Sequence, residues 1–397
     1  MSELTDEIGR LADPLAEPAD RVALREAMRK MIAEISPTER TLELDSQSRF
    51  DDELYAGLAG LGALSTGAGK HNGGAGDVRD QMAVVEELAA GPTSMAVAMI
   101  VHFLVIDLIT TRASIGQQER WLAPLLSGEA KASFALTEPA AGTDIANGMQ
   151  TTGKKVGDEW VLNGRKTWIS GAARADVFVI LARTAPPQNS TVDGITMFLV
   201  PAGSPGISVS NFGGVGLRAA DPCDVILDNV SVPDSAVMGE EHRGFRLLMG
   251  SLNRERLNAA AGAIGAARGA LTYTIDYARD RTAFDRQLGS FQAVQHRLVD
   301  GAIALESARG LLRRAGDIAA GGGRADLISS MAKVACSEAA VKITQDGLET
   351  LGAAGLNNHG PLQRWFRDVR LWVVAPLAND MVRNYLGERL LDLPRSF

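Results

Sequence analysis

Cysteine is nearly absent: 397 residues contain only Cys223 and Cys336. With no CxxC pair and no Cys/His cluster, neither a zinc site nor a disulfide framework is expected. No run of about 18 apolar residues stands out, so no membrane span is expected. A block of lysine and arginine able to track a phosphate backbone is missing too. The 40 basic residues are outnumbered by 48 acidic ones, net charge is −8, and nucleic acid is not an expected partner. The chain opens with Glu3, Asp6 and Glu7 where a secretory signal would carry basic residues, so a reducing, cytoplasmic setting is expected. What is present is the composition of a globular protein, 46% hydrophobic and 22% charged. At this length two or three domains are expected, with room to bury a large cofactor.

The hydrophobic period changes twice along the chain, which predicts an α+β protein of three parts: a helical domain over 1–131, a β-domain over 132–236 and a helical bundle over 237–397. Pro14 and Pro18 punctuate the start. Val22, Leu24, Met28, Met31, Ile32 and Ile35 then space along one helical face until Ser36-Pro37, and Leu54, Leu58 and Leu61 repeat the pattern. Gly67 to Gly76 is a glycine-dense turn, with Asp77 placed to cap the following helix and His71 read as a solvent-facing turn residue. Ser94 to Ala113 reads as a buried helix, with Asp107 more simply a paired carboxylate than a catalytic one. Strands are expected at 175–183, 194–201, 207–209 and 224–232. Beyond Val237 the helical period returns. Ala259 to Ala270 is rich in small residues that let neighbouring helices approach closely, and Gly321-Gly-Gly323 separates two long helices.

Between the first two parts lies Phe134 to Gly171, unlike anything else in the chain. Phe134-Ala-Leu-Thr leads into Glu138-Pro139 and the small-residue loop Ala140 to Asp144, whose backbone could approach a ligand closely. Glu159 to Leu162 and Arg165 to Ser170 read as two strands joined by a tight turn at Asn163-Gly164. Thr137–Asp144, TEPAAGTD, followed about 25 residues later by NGRKTWIS resembles the acyl-CoA dehydrogenase flavoprotein superfamily. That resemblance implies a helical N-terminal domain, a central β-barrel-like domain and a C-terminal four-helix bundle, and it covers essentially the whole chain. Gly73-Gly74 and Glu86-Glu87-Leu88-Ala89 fit it, although the Pro-Glu usually ahead of that turn is absent.

The resemblance implies an FAD-dependent dehydrogenase that removes the proton α to a thioester carbonyl and passes a hydride from the β carbon to the flavin. Phe134, Leu136, Thr137, Thr143, Trp168, Ile169 and Ser170 are thereby assigned to the flavin, with Trp168 packing on the ring and the hydroxyls meeting its heteroatoms. Arg281 and Phe284 match an Arg-x-x-Phe pattern that reaches the cofactor of a neighbouring subunit, followed by Asp285 where glycine is usual. Gln292 fits the family's Phe-Gln pair. Glu349 and Gly352 stand in a Q-x-x-G-G turn from which Glu349 and Ala353 depart. A site shared between subunits implies a homotetramer. Thr143, Asn253 and Arg256 match substrate contacts. The implied partners are an acyl-CoA or acyl-carrier-protein thioester and electron-transfer flavoprotein or a similar acceptor. No metal is implied.

The usual base is where the sequence departs most. Counting from Arg367-Asp368 places Pro376 at the position where most relatives carry glutamate, and proline has neither a carboxylate nor an N–H to hold the thioester oxygen. Isovaleryl-CoA and long-chain acyl-CoA dehydrogenases carry their base on an earlier helix in a Glu-Arg pair, which Glu255-Arg256 matches. Glu255 is the candidate base, with Arg254 and Arg256 expected to lower its basicity. Two alternatives stay open: a flavin-dependent monooxygenase or oxidase of the same fold, and a catalytically silent subunit of a hetero-oligomeric dehydrogenase.

Overall fold

The computed structural model describes residues 17–395, so Glu3, Asp6, Glu7 and Pro14 lie outside the described residues. Among the described residues six α-helices precede the sheet: α1 Ala19–Ile35, α2 Thr38–Ser46, α3 Asp52–Gly60, α4 Val78–Ala89, α5 Thr93–Arg112 and α6 Ile115–Ser127. Pro37 stops α1 and stands at the N-cap position of α2 without a side-chain cap, and α2 is a helix that the sequence did not lead us to expect. Asp77 caps α4 as expected, within a reciprocal capping box completed by Asp80. His71 is exposed in a single turn of 3-10 helix.

By length and composition α5 could cross a bilayer, although His102 and Asp107 interrupt its apolar run. The structure buries 78% of its most apolar stretch inside the protein, as a core helix. His102, buried within it, donates from Nε2 to Leu64 O (2.8 Å), and burial depresses its imidazole to about 4, so it is neutral.

A curled, mixed seven-stranded sheet follows: β1 Ala132–Ala135, β2 Thr152–Val156, β3 Glu159–Ser170, β4 Val177–Arg183, β5 Ile195–Pro201, β6 Ile207–Asn211 and β7 Pro222–Pro233, with the four-residue helix α7 Ile145–Gly148 between β1 and β2. The order is β1-β4-β2-β3-β7-β6, with β5 on β4, and β1 runs parallel to β4.

The Asn163-Gly164 hairpin is not observed. Val156 pairs with Glu159, so the turn lies at Gly157-Asp158, and β3 runs unbroken through Asn163-Gly164. Both dipeptides suit a tight turn, but only the earlier one leaves a twelve-residue strand able to pair with β2 and β7 together. At Gly164 the need is for space, since a Cβ there would lie 2.4 Å from Thr151 Oγ1. Asn229, at φ 50°, takes the extra residue on β7 instead.

The last part comprises α8 Gly244–Met249, α9 Leu252–Asp280, a small hairpin of β8 Thr282–Ala283 and β9 Arg286–Gln287, α10 Gln292–Ala320, α11 Asp326–Leu351, and the shorter α12 Leu362–Asp368, α13 Arg370–Val374 and α14 Asn379–Leu390. The small-residue stretch of α9 works as expected. A Cβ on Gly265 would sit 2.2 Å from Glu86 O of α4, and one on Gly262 would sit 2.8 Å from the Trp372 ring of α13. Buried Glu86 and Glu87, both held as carboxylates, join α4 to Arg25, Arg268 and Arg309, so this pair of the family pattern is a structural ion network.

Candidate active site

The two motif stretches are stitched side by side. Thr167 N donates to Thr137 O (2.9 Å), and Ser133 Oγ donates to Ser170 O (2.6 Å). Lys166, fully buried, donates to Leu136 O (3.0 Å) and pairs with Glu138 (2.7 Å). Glu138 in turn accepts from the amides of Gln150 (2.6 Å) and Thr151 (3.1 Å), which closes the small-residue loop onto β2. Burial pulls the Lys166 ammonium down to about 8 against the opposing effect of Glu138, while Lys166 and the amides hold Glu138 below the usual carboxylate range despite its own burial. The sequence reading gave neither residue a role. Along β3, Trp160, Leu162 and Lys166 share the inward face of a period-two strand, and that spacing was the available signal for a buried lysine.

Trp168 lies where β3 carries one residue more than β7, between Lys166 and Ile169, and has φ 59°. The bulge turns Ile169 inward, 2% exposed, and turns Trp168 out, 60% exposed and edge-on to Phe212 at 4.8 Å. A large aromatic held outward in a left-handed conformation, beside the half-buried Thr137 and Ser170, fits the face of a planar ring system. Ile169 can offer only backbone to that ring. Phe134 and Leu136 pack partly against the layer formed by α5, and Thr143 is exposed in the loop.

The candidate base lies on α9. Glu255 occupies its first turn. Arg254 is taken up by Asp107 of α5 (2.9 Å), which is thus a paired carboxylate as expected, and Arg256 donates to Asn253 Oδ1 (2.8 Å). Among the described residues the half-buried Glu255 carboxyl has no hydrogen-bond or ion-pair partner. Burial pushes it up to about 7, with Arg256 only partly opposing. The expected loss of basicity is therefore reversed, because one arginine is neutralised elsewhere and desolvation outweighs the other.

Pro376 is exposed in the link between α13 and α14. Arg367 and Asp368 before it serve structure. Arg367 pairs with Asp45 (2.7 Å) and donates to Val215 O (2.6 Å), and Asp368 accepts from Leu217 N (2.6 Å). They dock the C-terminal segment on the loop beside Trp168 and Phe212. A small cavity of about 20 Å³ between α2, the turn before α5 and α12, lined by residues including Asp45, Ser94 and Arg364, contains none of the residues assigned to flavin or substrate.

The remaining assigned residues gather at the far end of α9. Arg281 caps its C-terminus, and at about 1.5 Å rise per residue lies about 39 Å from Glu255. Phe284 is 90% exposed and edge-on to Phe291, and Gln292 is exposed at the start of α10. Glu349 pairs with Arg297 (3.2 Å), and Gly352 takes φ 61° in the turn that ends α11. A flavin lying against Trp168 and within reach of Glu255 cannot also meet Arg281 of the same chain.

An α-β-α architecture with an outward tryptophan on its sheet and a desolvated carboxylate on its long helix defines the class. Family models for the acyl-CoA dehydrogenase N-terminal, middle and C-terminal domains match residues 18–129, 133–230 and 242–391. The short-chain specific acyl-CoA dehydrogenase of Homo sapiens is 33% identical over 357 residues, which are 89% of this chain and 86% of that one. Butyryl-CoA dehydrogenase from Megasphaera elsdenii superposes with a TM-score of 0.89 at 28% identity, covering 94% and 99% of the two chains. A glutaryl-CoA dehydrogenase from Mycobacterium smegmatis in complex with FADH2 does so at 0.89 and 27%, covering 98% and 97%. The chain belongs to the acyl-CoA dehydrogenase family, and it is an FAD-dependent oxidoreductase acting on CH–CH bonds.

Proposed function

We propose that the protein desaturates the α,β bond of an acyl thioester with Glu255 as the base. The observation that carries this reading is the Glu255 carboxyl in the first turn of α9, which has no hydrogen-bond or ion-pair partner among the described residues and is raised to about 7 by burial. A base is most effective when its pKa lies near the working pH, and Glu255 meets that condition where Pro376 offers no titratable group. Trp168, Thr137 and Ser170, with the loop closed by Glu138 and Lys166, would hold the flavin ring, and FAD when bound supplies the hydride acceptor. Glu255 takes the α proton. Arg256, with one of its five N–H donors used on Asn253, has donors left for the substrate.

The far set, Arg281, Phe284 and Gln292, would complete the cofactor site of a second copy, which supports a homotetramer. The substrate is an acyl-CoA or a carrier-bound thioester, with electron-transfer flavoprotein or a similar protein as acceptor. Anaerobic addition of a panel of CoA and carrier-protein thioesters to the yellow holoenzyme tests the reading. Bleaching of the flavin by at least one of them is expected. No bleaching by any of them overturns the proposal and favours a silent subunit, which the exposed Pro376 bend would suit. Turnover requiring molecular oxygen favours the oxidase.

A further inference from the structure

Lys333 of α11 is 1% exposed, and among the described residues no carboxylate forms an ion pair with it. Its ammonium instead donates to Leu377 O (2.6 Å), Asn379 Oδ1 (2.7 Å) and, more weakly, Val373 O (3.4 Å). These three acceptors bracket the link that carries Pro376. Asn379 is fixed further by Ser337, which lies one turn along α11 from Lys333. The link is also tied to α9, because Trp372, just before it, packs on Gly262, and Gly262 lies seven residues after Glu255, hence on the same face two turns away.

We propose that Lys333 is a positioning residue of the acyl site, holding the 374–378 bend in place opposite Glu255. The inference rests on the dehydrogenase reading above. A bend without the usual carboxylate and without an N–H at 376 can contribute only its shape and location, and three bonds from one buried cation set both.

The clamp is sensitive to protonation. An ammonium has three protons for three acceptors, whereas the neutral amine has two and turns a lone pair toward an oxygen. Burial brings Lys333 down to about 8. Arg256 facing it from α9 adds to that lowering, and Glu338 of its own helix, held by Arg383 of α14, opposes it. α13 and the bend present carbonyls.

The test uses the holoenzyme with two readouts: amide hydrogen exchange of the peptide covering 371–382, corrected for the intrinsic pH dependence, and the rate of flavin reduction by an acyl-CoA that bleaches it. In the parent protein, protection of the bend and the reduction rate should fall together as pH rises through about 8. Asn379→Asp places a carboxylate beside the ammonium and should move both transitions up by about one unit or more. Lys333→Arg, which stays charged at every accessible pH, should abolish the alkaline transition in both. Lys333→Met should expose the bend to exchange and slow reduction at least tenfold at pH 7.5. If Lys333→Met does not fold, the other two variants decide. Unshifted transitions in Asn379→Asp, or a bend equally protected on both sides of pH 8, overturn the clamp. Exchange that responds while reduction does not overturns its role in the site. A parent protein that no thioester bleaches defeats the dehydrogenase reading, with exchange still reporting whether the clamp exists.

Discussion

Two buried lysines, one behind the strand that carries Trp168 and one beneath the 374–378 bend, are partnered differently. Behind the strand Lys166 meets a carboxylate, Glu138, which also accepts two backbone amides. Beneath the bend Lys333 meets two carbonyls and a carboxamide. Burial brings both ammonium groups to about 8. A carboxylate partner makes the first a fixed joint, because either member alone is an uncompensated buried charge. Neutral acceptors make the second adjustable, because they tolerate loss of the proton. The contrast is therefore in what loss of the proton leaves behind, an unpaired buried carboxylate beside Lys166 and only neutral acceptors around Lys333.

Breaking the fixed joint should have the largest effect. Glu138→Ala leaves the Lys166 charge buried without its counter-ion and should cost about 3–5 kcal/mol in urea unfolding, with loss of bound flavin absorbance. Retention of both stability and flavin would remove the distinction between the two lysines.

Next comes Glu255, whose carboxyl titrates near 7 in the fold against an ordinary 4.5. The folded protein holds this proton more tightly than the unfolded chain does. Its contribution to stability is therefore complete below about pH 4.5 and is lost as pH rises to 7. Glu255→Gln should match the parent at pH 4 and exceed it by at most about 3 kcal/mol at pH 8, read from paired denaturation curves. A constant difference across that range would mean that Glu255 is not desolvated.

Lys333→Met, which leaves neutral acceptors rather than a charge unsatisfied, should cost about 1–3 kcal/mol, less than Glu138→Ala. An equal or greater loss would erase the contrast. The smallest effect is expected at the half-exposed Arg254–Asp107 pair, where Arg254→Ala should change stability by less than about 1 kcal/mol in a thermal melt.

Much of the architecture was legible because period decides element type: the α1 stripe, the small-residue face of α9 and the glycine break after α10 all appear where the sequence places them. The hairpin was misplaced because Gly157-Asp158 and Asn163-Gly164 carry equivalent turn chemistry, and only pairing with β7, some 60 residues on, chooses between them. The raised basicity of Glu255 was hidden for a related reason. Two flanking arginines look decisive in sequence, yet Asp107, on a different helix, neutralises one of them, and tertiary burial outweighs the other. Lys166 could be read from strand parity. The role of Lys333 could not, since its three acceptors lie 40 to 46 positions away along the chain.

The most direct test is the rate of flavin reduction under anaerobic conditions across pH 5.5–7.5, measured by stopped flow for the parent and for Glu255→Gln with one bleaching acyl-CoA. The parent rate should rise through an apparent pKa near 7, and the variant should be slower by about 10²–10⁴-fold with that rise abolished. A variant that is reduced at the parental rate, with the same acid limb, would contradict the assignment of Glu255 as the base.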